Sequence, residues 1–153
     1  MDLAKTISDA TREIFETMIM TEVIPGEPRN EGSQKYSCTV SGMVGLAGLF
    51  KGMIAIHTPD AVAMSITSSF LGMDVDEVNE DVTDAIGELA NMLAGSVKMV
   101  LSQNGKDITL SIPSTITGEE YCINCILDTD RVIMPFTLGE GQFLVEIQVE
   151  KQA

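Results

Sequence analysis

Apolar side chains along this chain recur every three to four residues at the start, every two in the middle, every three to four again, and every two to the end. Over residues 2–20, Leu3, Ile7, Ala10, Ile14 and Met18 fall on one stripe, with Asp9, Arg12, Glu13 and Glu16 turned outward. That spacing predicts an amphipathic helix. The segment IPGEPRNEGSQ carries prolines, glycines and charges and predicts a loop. KYSCTVSGMVG and GLFKGMIAIH are strand patterns joined through Gly-containing turns, a hairpin. Pro59 suits the first turn of a short helix running to Leu71, with Gly72 just past its end.

After MDVDEVNED comes the longest helical pattern, residues 79–103, stopped by Asn104 and Gly105. Four strand patterns follow: DITLSIPSTITG, YCINCILD, RVIMPFTLG and QFLVEIQVE. Each is rich in β-branched and aromatic residues and bounded by turn residues. The order α-β-β-α-α-β-β-β-β predicts an α+β fold: a mostly antiparallel sheet with two long helices and one short helix packed on it. Nothing marks a linker, so residues 1–153 are expected to form a single domain.

The long helix contains the stretch GELANMLAG, in which Gly87, Asn91 and Gly95 recur every four positions. On a helical wheel advancing about 100° per residue, Gly87, Lys98, Asn91, Asp84, Ser102, Gly95 and Glu88 fall within roughly 100°. Met92, Ala85, Leu89, Val82, Val100, Leu93, Ile86, Val97, Ala90 and Leu101 fill most of the rest. The pattern predicts a helix buried on most of its circumference and showing one narrow strip. All three residues that weaken the helix lie in that strip, at a cost of about 2 kcal/mol relative to alanine. A local rule broken without structural gain marks a functional site. Two readings stay open on this ground alone: a face kept flat for another molecule, or glycines admitting a neighbouring helix of the same chain.

Glu88 and Asn91, three residues apart, project side by side. Asn has no useful pKa and cannot serve as a general base. It donates and accepts at once, so it can hold a water and aim it at an electrophile, as amide side chains do in phosphoryl transfer. Glu88 can pair with a cation on a partner. No residue nearby is equipped to hold phosphate or a metal, so electrophile and metal would arrive with the partner.

Charge and composition narrow the class further. With 23 acidic and 9 basic residues the net charge is −14, and no basic patch or aromatic platform appears. Nucleic acid is thereby disfavoured, as are anionic membrane surfaces. The first residues, MDLAKTISDATREIF, do not read as a signal peptide, and GMVGLAGLFKGMIAI is too short and too interrupted to span a bilayer. Three cysteines with no export signal predict reduced thiols in the cytoplasm.

With the helix-borne Glu88-x-x-Asn91 in GELANMLAG, the chain resembles the CheX and CheC chemotaxis phosphatases, a family related to domains of flagellar switch proteins. The resemblance extends through SGMVGLAGLFKGMIAI, SFLGMDVDEVNEDVTDAIGELANMLAG and PFTLGEGQFLVEI, in the expected order. It implies a CheC/CheX-like fold and hydrolysis of the aspartyl phosphate of a CheY-like receiver domain. Asn91 would insert into the receiver and position the attacking water, and Glu88 would meet the receiver's active-site lysine. Mg²⁺ would belong to the receiver, with no cofactor or metal on this chain. Asp84, Gly87, Gly95 and Lys98 would border the partner. The N-terminal helix carries no E-x-x-N, which fits the single-site CheX type, expected to be homodimeric. The alternative is a non-catalytic receiver-binding or flagellar-switch module with the same face.

Other motifs carry less. EPRN, Glu27 to Asn30, also matches E-x-x-N, but its proline and loop context prevent a helical presentation. CINC places Cys122 and Cys125 three apart on a strand pattern, facing opposite sides, which suits neither zinc nor a disulfide. These two and Cys38 read as small packed thiols. His57 reads as structural or exposed, with no nucleophile constellation around it. SGMVGLAGLFKG lacks a nucleotide-loop signature, and DVDEVNED lacks the alternation of a calcium loop. Pro135 inside a strand pattern predicts an edge or a bulge, near a dimer seam.

Overall fold

The computed structural model describes residues 2–28, 34–123 and 130–152. The chain opens with α1, Leu3–Ile14, capped by the Asp2 carboxylate, which accepts from the Lys5 N–H at 3.1 Å. Its buried stripe is Ile7, Ala10 and Ile14. A π-helical turn, Phe15–Ile19, then widens the coil and ends at Met20 in the left-handed region, φ 58°. The wider turn rotates the stripe by one position, so Phe15 and Ile19 enter the core. Met18, expected on the stripe, is instead 53% exposed. A strict 3.6-residue period could not anticipate this shift.

The strands are β1 (Ile24–Pro25), β2 (Gln34–Gly48), β3 (Phe50–Pro59), β4 (Ile108–Leu110), β5 (Ser114–Ile123), β6 (Asp130–Leu138) and β7 (Gly141–Lys151). All described pairings are antiparallel, in the order β1-β6-β7-β3-β2. Beyond β2 the sheet is shared: β5 pairs with residues 34–43 of β2 and β4 with residues 46–48. The expected β2–β3 hairpin forms, with Gly42 opposite Ile56 and Ser41 opposite His57. The stretch expected as one strand, DITLSIPSTITG, divides at Ser111–Ile112–Pro113, where proline cannot donate to a ladder. Tyr121, Cys122 and Ile123, expected to open a separate strand, finish β5, and the remainder of YCINCILD lies outside the described residues. Cys125 is among those, as are Arg29 and Asn30 of EPRN.

Pro135 sits on β6 opposite Leu144 of β7, and its carbonyl accepts from the Gly26 N–H at 2.8 Å just beyond the two-residue β1. Its ring nitrogen shares that sparsely paired side, so no β7 hydrogen bond is lost. The expected edge or bulge is not what forms: β6 lies between β1 and β7 in unbroken register, and the proline is tolerated because β1 pairs with β6 over only two residues.

Among the described residues three α-helices cover one face of the sheet. Alternate side chains of β2, β3, β6 and β7, among them Val40, Val44, Ile54, Ile56, Met134, Phe136, Phe143, Val145 and Ile147, join the helical core residues in one cluster. Phe15 stacks on Phe143 at 5.0 Å, and Phe143 on Phe136 at 5.4 Å. α2, Asp60–Leu71, follows β3 directly, with Pro59 as its N-cap and Gly72 closing it at φ 71°. No helix among the described residues is long and apolar enough to cross a membrane.

α3, Glu80–Leu101, begins at Asn79, whose side chain accepts from the Val82 N–H at 3.3 Å. Glu80 and Asp81 occupy its first turn and Lys98 its last, matching the helix dipole at both ends. It stops two residues short of the expected end, where Ser102 turns extended and the Asp107 carboxylate accepts from the Gln103 N–H at 2.8 Å.

Candidate catalytic face and its support

α3 lies directly on β2. A β-carbon placed on Gly42 would stand 2.7 Å from the Ile86 carbonyl oxygen and 3.2 Å from the Ala90 Cβ. Only a residue without a side chain lets the helix backbone come so near the strand. Ile86 and Ala90 bracket Glu88, and Ala90 directly precedes Asn91, so the turn that carries the candidate pair is the one pressed onto the sheet.

On the outward side Asp84 and Glu88 are exposed, and Asn91, Gly95 and Lys98 are half-buried. Nothing lies within 4 Å of the place a β-carbon on Gly95 would occupy, so the strip is open there. Gly87 departs from the expected open strip. It is buried, with Thr115 Cγ2 3.2 Å and Pro113 Cβ 3.9 Å from its virtual β-carbon, because the start of β5 leans on that side of the helix. The two glycines thus divide the two readings. Gly87 admits a neighbour of its own chain, a strand rather than a helix, while Gly95 keeps a surface flat.

Val100, expected among the buried positions, is 55% exposed, while Val97 and Leu101 beside it in sequence stay buried to the end of the helix. The strip as built presents one carboxylate and one amide on a rigid helix, bordered by Asp84 and Lys98. Among the described residues no group of three or more His, Cys, Asp or Glu is placed to hold a metal ion.

His57 is buried, and the sequence concealed its surroundings. Its Nδ1 lies 2.6 Å from Ser41 Oγ and its Nε2 3.0 Å from Glu146 Oε1. The other Glu146 oxygen accepts from Arg131 Nε and from Gln148 Nε2, each at 2.7 Å. Burial alone would raise the Glu146 carboxyl, but hydrogen bonds from His57, Gln148 and Arg131 outweigh it and lower the pKa to about 2. The ionised carboxylate requires a proton on His57 Nε2. The Ser–His–Glu arrangement has the connectivity of a hydrolase relay, yet Ser41, His57 and Glu146 are all buried, on the sheet face away from the helices. It fastens β2, β3, β6 and β7 together beneath the strand that supports α3. Alternation along QFLVEIQVE puts Glu146 and Gln148 on one face. Their meeting with His57 and Arg131 depends on a register between strands that no local pattern encodes.

Comparison with known proteins agrees with this architecture. The family model described as chemotaxis phosphatase CheX matches residues 40–137, well over half of the chain. The protein belongs to the CheX family. The CheY-P phosphatase CheX of Thermotoga maritima is 24% identical over 124 residues, covering 78% of this chain and 80% of that one. The crystal structure of a chemotaxis protein CheX from Desulfovibrio desulfuricans superposes with a TM-score of 0.86 at 29% identity, covering 98% of this chain and all (100%) of that one. A CheX from Borrelia burgdorferi, solved in complex with CheY, BeF₃ and Mg²⁺, shares the fold with a TM-score of 0.81 at 23% identity, covering 98% and 99% of the two chains.

Proposed function

We propose that this protein is a phosphatase for the aspartyl phosphate of a CheY-like receiver domain, with residues 1–153 acting as one CheX domain in the cytoplasm. The observation that carries the reading is the outward presentation of Glu88 and Asn91 from the turn of α3 pressed onto β2 at Gly42. Family membership supplies the reaction class, and the complex of the Borrelia protein with CheY supplies the class of partner.

In this mechanism the α3 strip enters the receiver's active site. The Asn91 amide oxygen accepts a hydrogen bond from a water and holds its lone pair in line with the phosphorus. The aspartyl carboxylate of the receiver leaves, and the water becomes the new oxygen of inorganic phosphate. Glu88 pairs with a cationic side chain of the receiver and fixes the register of docking. Mg²⁺, held by the receiver, neutralises charge developing on the phosphoryl oxygens. Asp84, Gly95 and Lys98 border the contact, and Gly87 acts from beneath it by seating α3 against Thr115. The same reading expects a homodimer, which sedimentation would test.

The experiment is the decay of a phosphorylated CheY-type receiver from the same organism with Mg²⁺, alone and with substoichiometric amounts of this protein. Accelerated decay with many turnovers is expected. Binding of the phosphorylated receiver with unchanged decay would instead identify a non-catalytic module.

A further inference from the structure

Between β4 and β5 the chain passes along β2 through Ser111, Ile112 and Pro113. Ser111 is fastened to β2 twice: its N–H donates to the Gly45 carbonyl at 2.9 Å, and its Oγ accepts from the Gly45 N–H at 2.8 Å. The same hydroxyl donates to the Ile112 carbonyl at 3.0 Å. On the other side Pro113 rests against α3, 3.9 Å from the virtual β-carbon of Gly87. A residue before proline is confined to extended backbone, and isoleucine is stiff at χ1. Ile112 is therefore held from both ends, and it is 84% exposed.

Single exposed apolar residues are common on protein surfaces. This one differs in its mount and in its neighbour. Pro113 abuts Gly87, which immediately precedes Glu88 and lies one helical turn before Asn91, about 6 Å along the axis. The knuckle at Ile112 thus stands beside the helix turn that carries the pair, on the Gly87 side. The strip itself offers a carboxylate and an amide and little apolar area, so it provides chemistry but a poor grip.

Building on the phosphatase reading, we propose that Ile112 is an apolar docking anchor for the receiver. It would pack on an apolar patch at the rim of the acidic phosphoacceptor pocket while Glu88 and Asn91 enter the pocket. An apolar contact already rigid in the free protein adds affinity at little cost in ordering. Because it touches the receiver far from the phosphorus, it holds ground and transition states alike and acts on KM rather than on kcat.

The test is steady-state dephosphorylation of a CheY-type receiver from the same organism, phosphorylated by a small-molecule phosphodonor. Wild type would be compared with Ile112→Ala, Ile112→Leu and the control Ile24→Ala. Ile24 is 60% exposed on β1, at the opposite edge of the sheet from the β4–β5 side. Ile112→Ala is expected to raise KM roughly 5- to 30-fold with kcat within about twofold, while Ile112→Leu retains most of the affinity and Ile24→Ala changes neither. A KM unchanged in Ile112→Ala, or a loss confined to kcat, would overturn the anchor and leave the phosphatase reading standing. If wild type itself fails to accelerate decay, the phosphatase reading falls and takes the anchor with it.

Discussion

Gly42 of β2 and Ala90 of α3 meet so closely that a β-carbon on the glycine would lie 3.2 Å from the Ala90 methyl and 2.7 Å from the Ile86 carbonyl oxygen. The candidate catalytic turn is set in place by this one absent side chain. Replacing Gly42 with Ala forces the helix backbone off the sheet, since a carbonyl oxygen cannot rotate aside as a side-chain tip can. A loss of about 1–3 kcal/mol is expected, the usual cost of overpacking a core. Chemical denaturation would measure it, and receiver dephosphorylation should fall in parallel. An unchanged midpoint would refute the close seating.

The two helix glycines should respond oppositely to alanine. Gly95 stands in open space, so Gly95→Ala should stabilise the fold by up to about 1 kcal/mol through helix propensity alone. Gly87→Ala must displace the Thr115 methyl at 3.2 Å, which cancels or reverses that gain. Thermal unfolding of the two variants side by side checks this. Equal stabilisation of both would mean that β5 does not bear on Gly87. A bulky residue at position 95 should leave the fold intact and weaken receiver engagement.

The Glu146 network makes a prediction in pH. The carboxyl moves from an ordinary value of 4.5 to about 2 in the folded protein. Between those values the unfolded chain binds the proton more readily than the folded one, so stability rises with pH across that window. The contribution is fully present above about pH 5 and is lost as pH falls toward 2, with an upper magnitude of roughly 3 kcal/mol. Glu146→Gln should be destabilised near neutral pH, leaving His57 and Arg131 without their carboxylate, and the gap to wild type should narrow as pH falls from 5 to 2. A gap that stays constant would contradict the depressed carboxyl.

Much of this was legible in the chain. The start of α3 near residue 79, the glycine closing α2 at position 72 and the hairpin of β2 and β3 follow from local rules that operate within a few residues. The Glu88–Asn91 pair stood out because helix-weakening residues gathered on one side of an otherwise strong helix. What the pattern missed depends on contacts distant in sequence. Burial of Gly87 comes from Thr115, and the support at Gly42 comes from Ile86 and Ala90. The Ser41–His57–Glu146–Arg131 cluster needs strands in register. Met18 was misplaced for a local reason: one widened turn shifted the phase of the N-terminal helix.

In the proposed mechanism Asn91 aligns the water. The most direct test of this role is the single-turnover decay of the phosphorylated receiver at saturating protein, for wild type and Asn91→Ala. Receiver affinity and Tm would be measured on the same samples. Asn91→Ala is expected to lower the rate roughly 10²–10⁴-fold, the usual contribution of a positioned catalytic group, with affinity and Tm little changed. A rate equal to wild type at saturation would contradict it.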